Sequence, residues 1–111
     1  MKTSELTGAA LDWAVARCEG EAVHMVKGQL ETLWTDNGWK PSTDWAQGGP
    51  IIEREKLGLG HVISEGNLYW IATGYLTEEC APTPLVAAMR CYVAACIGDE
   101  VDIPETLFAT A

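Results

Sequence analysis

Arg90 lies in the middle of an apolar run from Leu85 to Ile97 and is the only Lys or Arg between Leu57 and the C-terminus. A guanidinium in such surroundings must reach the surface or find an acceptor, so a carboxylate partner is expected, with Asp44, Glu53 and Glu55 as candidates. All three fall in the most unusual stretch of the chain, residues 41–58, which reads Pro-Ser-Thr-Asp-Trp-Ala-Gln-Gly-Gly-Pro-Ile-Ile-Glu-Arg-Glu-Lys-Leu-Gly. As a recognition segment it would offer Asp44, Trp45, Gln47, Gly48, Gly49 and, from the apolar run, Arg90. Gly48 and Gly49 allow close backbone approach, Trp45 supplies a stacking face, and amides opening a helix at Pro50 could meet an anion. As architecture, the same residues would plug the core with Trp45, make a tight turn at the glycines, and let Arg90 pin residues 42–55 to its own helix.

Other reactive groups are sparse. His24 and His61 are isolated, and the chain has no nucleophile elbow, no His-Glu-x-x-His, no clear Ser/His/Asp order and no Gly-Lys-Ser/Thr phosphate loop. Asp44 and Glu53 could pair as acid and base, but nothing in their spacing fixes a separation, so the balance leans away from an enzyme. Cys18, Cys80, Cys91 and Cys96 form no Cys-x-x-Cys pair, and Cys91 and Cys96 would face different sides of a helix. A zinc site built from them with His24 or His61 lacks the paired spacing. No metal and no cofactor is expected, and the cysteines are read as thiols in a reducing compartment.

The charge balance narrows the partners. Seven Lys and Arg against 16 Asp and Glu give a formal net charge of −9. Direct nucleic-acid binding and anionic membranes both need a cationic face, which the chain lacks. The excess is spread, since residues 1–55 carry 5 basic and 9 acidic side chains and residues 56–111 carry 2 and 7. An acidic surface suits a protein partner of basic character, and exposed members of the set Trp13, Trp34, Trp39, Trp45 and Trp70 could anchor one or hold a homo-oligomer together. Lys2 is followed by Glu5 and Asp12 with no apolar core, so the start does not read as a secretory signal, and no run reaches the ~20 apolar residues of a membrane span. A cytoplasmic protein is expected.

The elements that must position these residues point to an α+β fold in a single domain spanning 1–111: an antiparallel sheet with two main helices on one face. The first helix is expected from about Thr7 to Glu19, capped by Thr7 and stopped at Gly20, with Leu11, Ala14, Val15 and Cys18 inward. The second is expected over 84–97, with Thr83 as cap, Pro84 first and Gly98 as stop, and it is apolar nearly all round. A short helix is expected near 50–57, with Ser42 to Gly49 irregular before it. Val62–Glu65 and Leu68–Tyr75 flank Gly66-Asn67 as a hairpin. Ala22–Val26 and Gln29–Trp34 suggest another across Lys27-Gly28, although Val23, Val26, Leu30 and Leu33 also suit a helix. A turn is expected at 36–38, a short edge strand at Lys2–Leu6, and an acidic extension with some strand character from Asp99 to Thr106.

Three blocks carry a resemblance. They are Thr3-Ser-Glu-Leu-Thr-Gly-Ala-Ala-Leu-Asp-Trp-Ala-Val-Ala16, Ser42-Thr-Asp-Trp-Ala-Gln-Gly-Gly-Pro-Ile-Ile-Glu-Arg-Glu55, and Pro82-Thr-Pro-Leu-Val-Ala-Ala-Met-Arg-Cys-Tyr-Val93 with Gly98-Asp-Glu-Val101. Together they cover 44 of the 111 residues and resemble the phage NinX family, small proteins of lambdoid phages and prophages. The resemblance implies a phage or prophage origin, expression in a bacterial cytoplasm and an accessory role that modulates host or phage processes. It implies no reaction. A non-enzymatic, acidic protein-binding module is therefore expected first, and a small-ligand binder or enzyme using residues 42–55 and Arg90 second.

Overall fold

The computed structural model of the protein describes residues 1–26, 29–32 and 38–105. A 3-10 turn at Thr3–Glu5 is followed by α1 (Gly8–Glu19), β1 (His24–Val26), β2 (Gln29–Glu31), α2 (Trp45–Glu55), β3 (Gly58–Ser64), β4 (Asn67–Thr73), β5 (Glu78–Ala81) and α3 (Pro84–Cys96). The fold is α+β. Its strands form two antiparallel sheets rather than one, a β1–β2 pair and a three-stranded sheet in the order β3–β4–β5.

α3 occupies the centre because its sequence leaves no polar face. Residues 87–93 are buried without a break. Thr83 caps the helix by accepting from the Val86 amide, and Pro84 opens it where a missing N–H costs nothing. The sheet covers α3 through β4 and β5, while α1 packs chiefly against α3 itself and touches β2. The two helices therefore do not lie side by side on one sheet face, as the patterning suggests. α3 needs cover on more than one side, and α1, thinned by Ala14 and buried along Leu11, Val15 and Ala16, supplies it. At the C-terminal end of α1, Gly20 adopts the left-handed conformation (φ 73°) and its amide returns to the Ala16 and Arg17 carbonyls. Thr7 occupies the N-cap position, but its side chain makes no capping bond.

Several local expectations shift. Lys2–Leu6 is not an edge strand: Thr3–Glu5 turns as a 3-10 helix, and Lys2 makes only an isolated bridge to Glu100. The acidic extension after α3 likewise forms no strand in residues 99–105 beyond that bridge. The short helix expected near 50–57 begins five residues earlier, at Trp45, with Pro50 inside it. Pro50 cannot donate to the Ala46 carbonyl, but both residues are exposed and water can satisfy that oxygen. The hairpin turn sits at Glu65–Gly66 (φ 52° and 81°), one residue before the expected pair, and closes Ser64 on Asn67. β1 and β2 pair antiparallel from His24↔Glu31 to Val26↔Gln29, while the turn expected at 27–28, residues 33–37 and Thr106 lie outside the described residues.

Arg90 does not pin residues 42–55. Only 8 % exposed, it donates from Nε to the Leu6 carbonyl at 2.8 Å and from Nη1 to the Cys80 carbonyl at 2.9 Å. It therefore joins the N-terminal segment and β5 to α3 through backbone oxygens rather than a carboxylate. Around it, the Thr3 hydroxyl donates to the Gly98 carbonyl at 2.6 Å, and Val101 donates to the Met1 carbonyl at 2.9 Å. Arg90→Met should take the guanidinium donors from the buried Leu6 carbonyl and the part-buried Cys80 carbonyl and lower stability by about 2–4 kcal/mol, read as the urea midpoint. An unchanged midpoint would show that Arg90 does not carry this junction.

Candidate functional site

The segment from Trp39 to Glu55 is held by four contacts, three of them to α1 or α3. Asp12 contributes the first. It sits buried on α1, accepts from the Ser42 amide at 2.9 Å, and its own carbonyl accepts from Trp39 Nε1 at 2.8 Å. Burial pushes the Asp12 carboxyl up from 3.8 to about 6, against the opposing pull of the Ser42 hydroxyl and amide. Ser42 Oγ itself is buried with no hydrogen-bond partner.

Gln47 contributes the second contact, its side chain accepting from the Lys40 amide at 2.8 Å and donating to the Gly38 carbonyl at 2.9 Å. The third is the packing of Gly48, where a Cβ would lie 2.4 Å from the Pro41 carbonyl oxygen and 2.6 Å from Leu85 Cδ2. No other residue fits between that loop and α3 without moving one of them. Gly49 is different, because a Cβ there would meet only the Trp45 ring at 4.0 Å. Asp44 caps α2 by accepting from the Ala46 amide at 3.0 Å.

Arg54 supplies the fourth contact, at the far end of α2. Its guanidinium donates to both Glu19 oxygens, at 2.9 and 2.6 Å, to Glu55 at 2.8 Å and to the Tyr92 hydroxyl at 3.2 Å. Tyr92 donates in turn to Glu19, and the guanidinium lies over its ring at 5.7 Å. Three helices thus meet in one charge network. Arg54 and the Tyr92 hydroxyl hold the Glu19 carboxyl below its ordinary value despite partial burial. Burial and Glu19 raise the Tyr92 hydroxyl. The pinning role expected of Arg90 falls to Arg54, while Arg90 and Asp44 share no hydrogen-bond partner.

What this frame leaves outside is Trp45, 53 % exposed on the first turn of α2. It lines a groove of about 240 Å³ with Ser42, Thr43 and the start of α3 at Thr83, Pro84 and Leu85. Trp13, Trp39 and Trp70 pack against the core, and Trp34 lies outside the described residues. A second cleft, about 390 Å³, runs between α1 and residues 97–102, where the Arg17 guanidinium covers the Trp13 ring at 5.3 Å. Among the described residues no three His, Cys, Asp or Glu side chains gather to hold a metal ion, and no helix is long and apolar enough to cross a membrane. Cys91 is buried against Thr77, whose hydroxyl lies 3.1 Å from its sulfur.

Sequence reasoning missed Asp12 and Arg54. Asp12 had one readable signal, since its neighbours one helical turn away, Ala9 and Ala16, give it no charged partner on its own helix. Arg54 had none, because Glu19 lies 35 residues away. The Asp12 shift sets a pH dependence. The folded state holds the proton more tightly than the unfolded chain, so this group's contribution falls as pH rises from about 4 through about 6, by on the order of 3 kcal/mol. Asp12→Asn keeps an acceptor for the Ser42 amide without the charge. Its stability relative to the native protein should rise across that window and level off above it. A difference that does not vary with pH would contradict the buried-charge assignment.

Comparison with known proteins completes the site's context. No similar protein emerges among curated sequences. The family model for bacteriophage P22 NinX matches residues 2–95, which takes in the α1 clasp, all of α2 and the α3 helix up to Ala95. The chain therefore belongs to the phage NinX family.

Proposed function

We propose that this phage accessory protein works by binding another protein, without catalysis, through the Trp45 groove. The observation that carries this reading is a large aromatic held half out of the protein by a frame in which Asp44, Gln47 and Gly48 are already engaged. Asp44 caps the helix, Gln47 clasps the preceding loop and Gly48 seats the helix on Leu85. An exposed indole on a fixed helix is the type of side chain that dominates protein–protein affinity, because little ordering entropy is lost when it is covered. Gly49 keeps the surface beside the ring low, and Pro84 and Leu85 extend the apolar floor. Arg90 serves the same site indirectly by holding α3 in place.

The partner is a host or phage protein with a basic face, met in the bacterial cytoplasm. A chain carrying −9 steers such a partner and repels nucleic acid and anionic membranes. Capture from a bacterial host lysate on the native chain and on Trp45→Ala, at low and at raised salt, tests this. A specific host or phage protein should be retained by the native chain, weakened at least ~tenfold by Trp45→Ala and weakened further by salt. A retained set unchanged by Trp45→Ala, or indifferent to salt, would overturn the proposal.

A further inference from the structure

The β3–β4 hairpin carries a feature that the Trp45 groove does not use. β3 is an edge strand, bonded only to β4 among the described residues, and every residue from Gly58 to Ser64 is exposed. Native edges are normally blunted by Lys, Pro, a bulge or short length. This one has none of these: it reads Gly-Leu-Gly-His-Val-Ile-Ser and pairs with β4 without interruption over its whole length. Glu65 is the only formally charged residue between Leu57 and Thr77, on a chain of net charge −9.

The register shows which backbone groups are free. The two-residue turn at Glu65–Gly66 makes Ser64↔Asn67 a hydrogen-bonded pair, and alternation then assigns Val62, Gly60 and Gly58 to β4. The N–H and C=O of Leu59, His61 and Ile63 therefore point away from β4, along the open edge. This assignment agrees with the close ring contact of the non-bonded pair His61 and Trp70, centroids 5.7 Å apart. The side chains of Leu59, His61 and Ile63 share a face with Leu68, Trp70 and Ala72, and Ala72 is buried in the core. Toward the turn this apolar row emerges, with Ile63 70 % and Leu68 52 % exposed.

The geometry points to a homodimer in which β3 pairs antiparallel with β3 of a second copy about a twofold axis at His61, making one continuous six-stranded sheet. The strand is its own complement. Centred on His61, it sets Leu59 opposite Ile63 of the other copy and Ile63 opposite Leu59, and each of these residues donates one bond and accepts one. Charge favours a second copy over a basic partner, because this edge has nothing acidic to attract one and is where two chains of −9 meet with least repulsion. Strand pairing alone buries less than the ~1,200–2,000 Å² of a standard interface, so the dimer should dissociate on dilution.

Sedimentation equilibrium and amide hydrogen exchange on the full chain test this together. At about 100 µM the native protein should show twice its 12.0 kDa chain mass, and the amides of Leu59, His61 and Ile63 should gain protection with concentration while those of Gly60 and Val62, already bonded within the hairpin, do not change. Ile63→Lys, at an exposed position that leaves the fold intact, should restore the single-chain mass and abolish the gain. Trp45→Ala should alter neither. A native chain that stays single at that concentration, a dimer in which those three amides exchange as before, or protection that appears only on adding a different protein would each overturn the assignment.

Discussion

A helix with no polar face must be enclosed, and this requirement on α3 governs the rest of the molecule. Residues 87–93 are buried through two full turns, so cover has to come from several directions in a chain of 111 residues. The three-stranded sheet provides one wall, α1 another, and α2 with the N-terminal 3-10 turn fills the remainder. Arg90 lies inside this enclosure and is tolerated because it meets backbone carbonyls from two of the covering pieces. Its donors fix the positions of Leu6 and Cys80.

The α2 wall has the least apolar surface, with only Gly48 and Ile51 fully buried. Polar contacts make up the difference. The buried Asp12 carboxylate costs desolvation but dictates where Ser42 must lie, and Gly48 lets the helix approach until Leu85 touches its backbone. Arg54 is half exposed, so its pairing with Glu19 contributes no more than ~1 kcal/mol; its geometry, shared with Tyr92, sets the angle of α2 more than its stability. Holding Trp45 outward follows from these constraints, since the opposite face of the first turn is already committed to the core.

The elements that could be read from the sequence were those whose signals are local. Thr83-Pro84 and Gly98 bracket α3, Gly20 ends α1, and alternation marks β4. α2 was half hidden because Gly48, Gly49 and Pro50 argue against a helix, and the reason for Gly48 lies in Pro41 and Leu85, which no local pattern reveals. The hairpin turn was displaced by one residue because Glu65 takes a positive φ that glycine and asparagine adopt more readily. In the site, Trp45 and its cap Asp44 were visible as residue types. The partner of Arg90 was not, because backbone carbonyls carry no sequence signature, and the Asp12–Ser42 clasp joins residues 30 apart.

The surface divides accordingly into an acidic body and a hairpin whose one formal charge is Glu65 at its turn, with the aromatic groove on the body. That division depends on residues 39–55 being a fixed part of the fold rather than a loop resting on it. Native-state hydrogen exchange of the Ser42 amide, compared with the amides of Met89 to Val93 in α3, measures this most directly. If the enclosure of α3 includes this segment, Ser42 should exchange only through the same global opening as α3, with the same free energy and denaturant dependence. Exchange of Ser42 at a much lower free energy, with little denaturant dependence, would show that the segment opens by itself and would contradict the account.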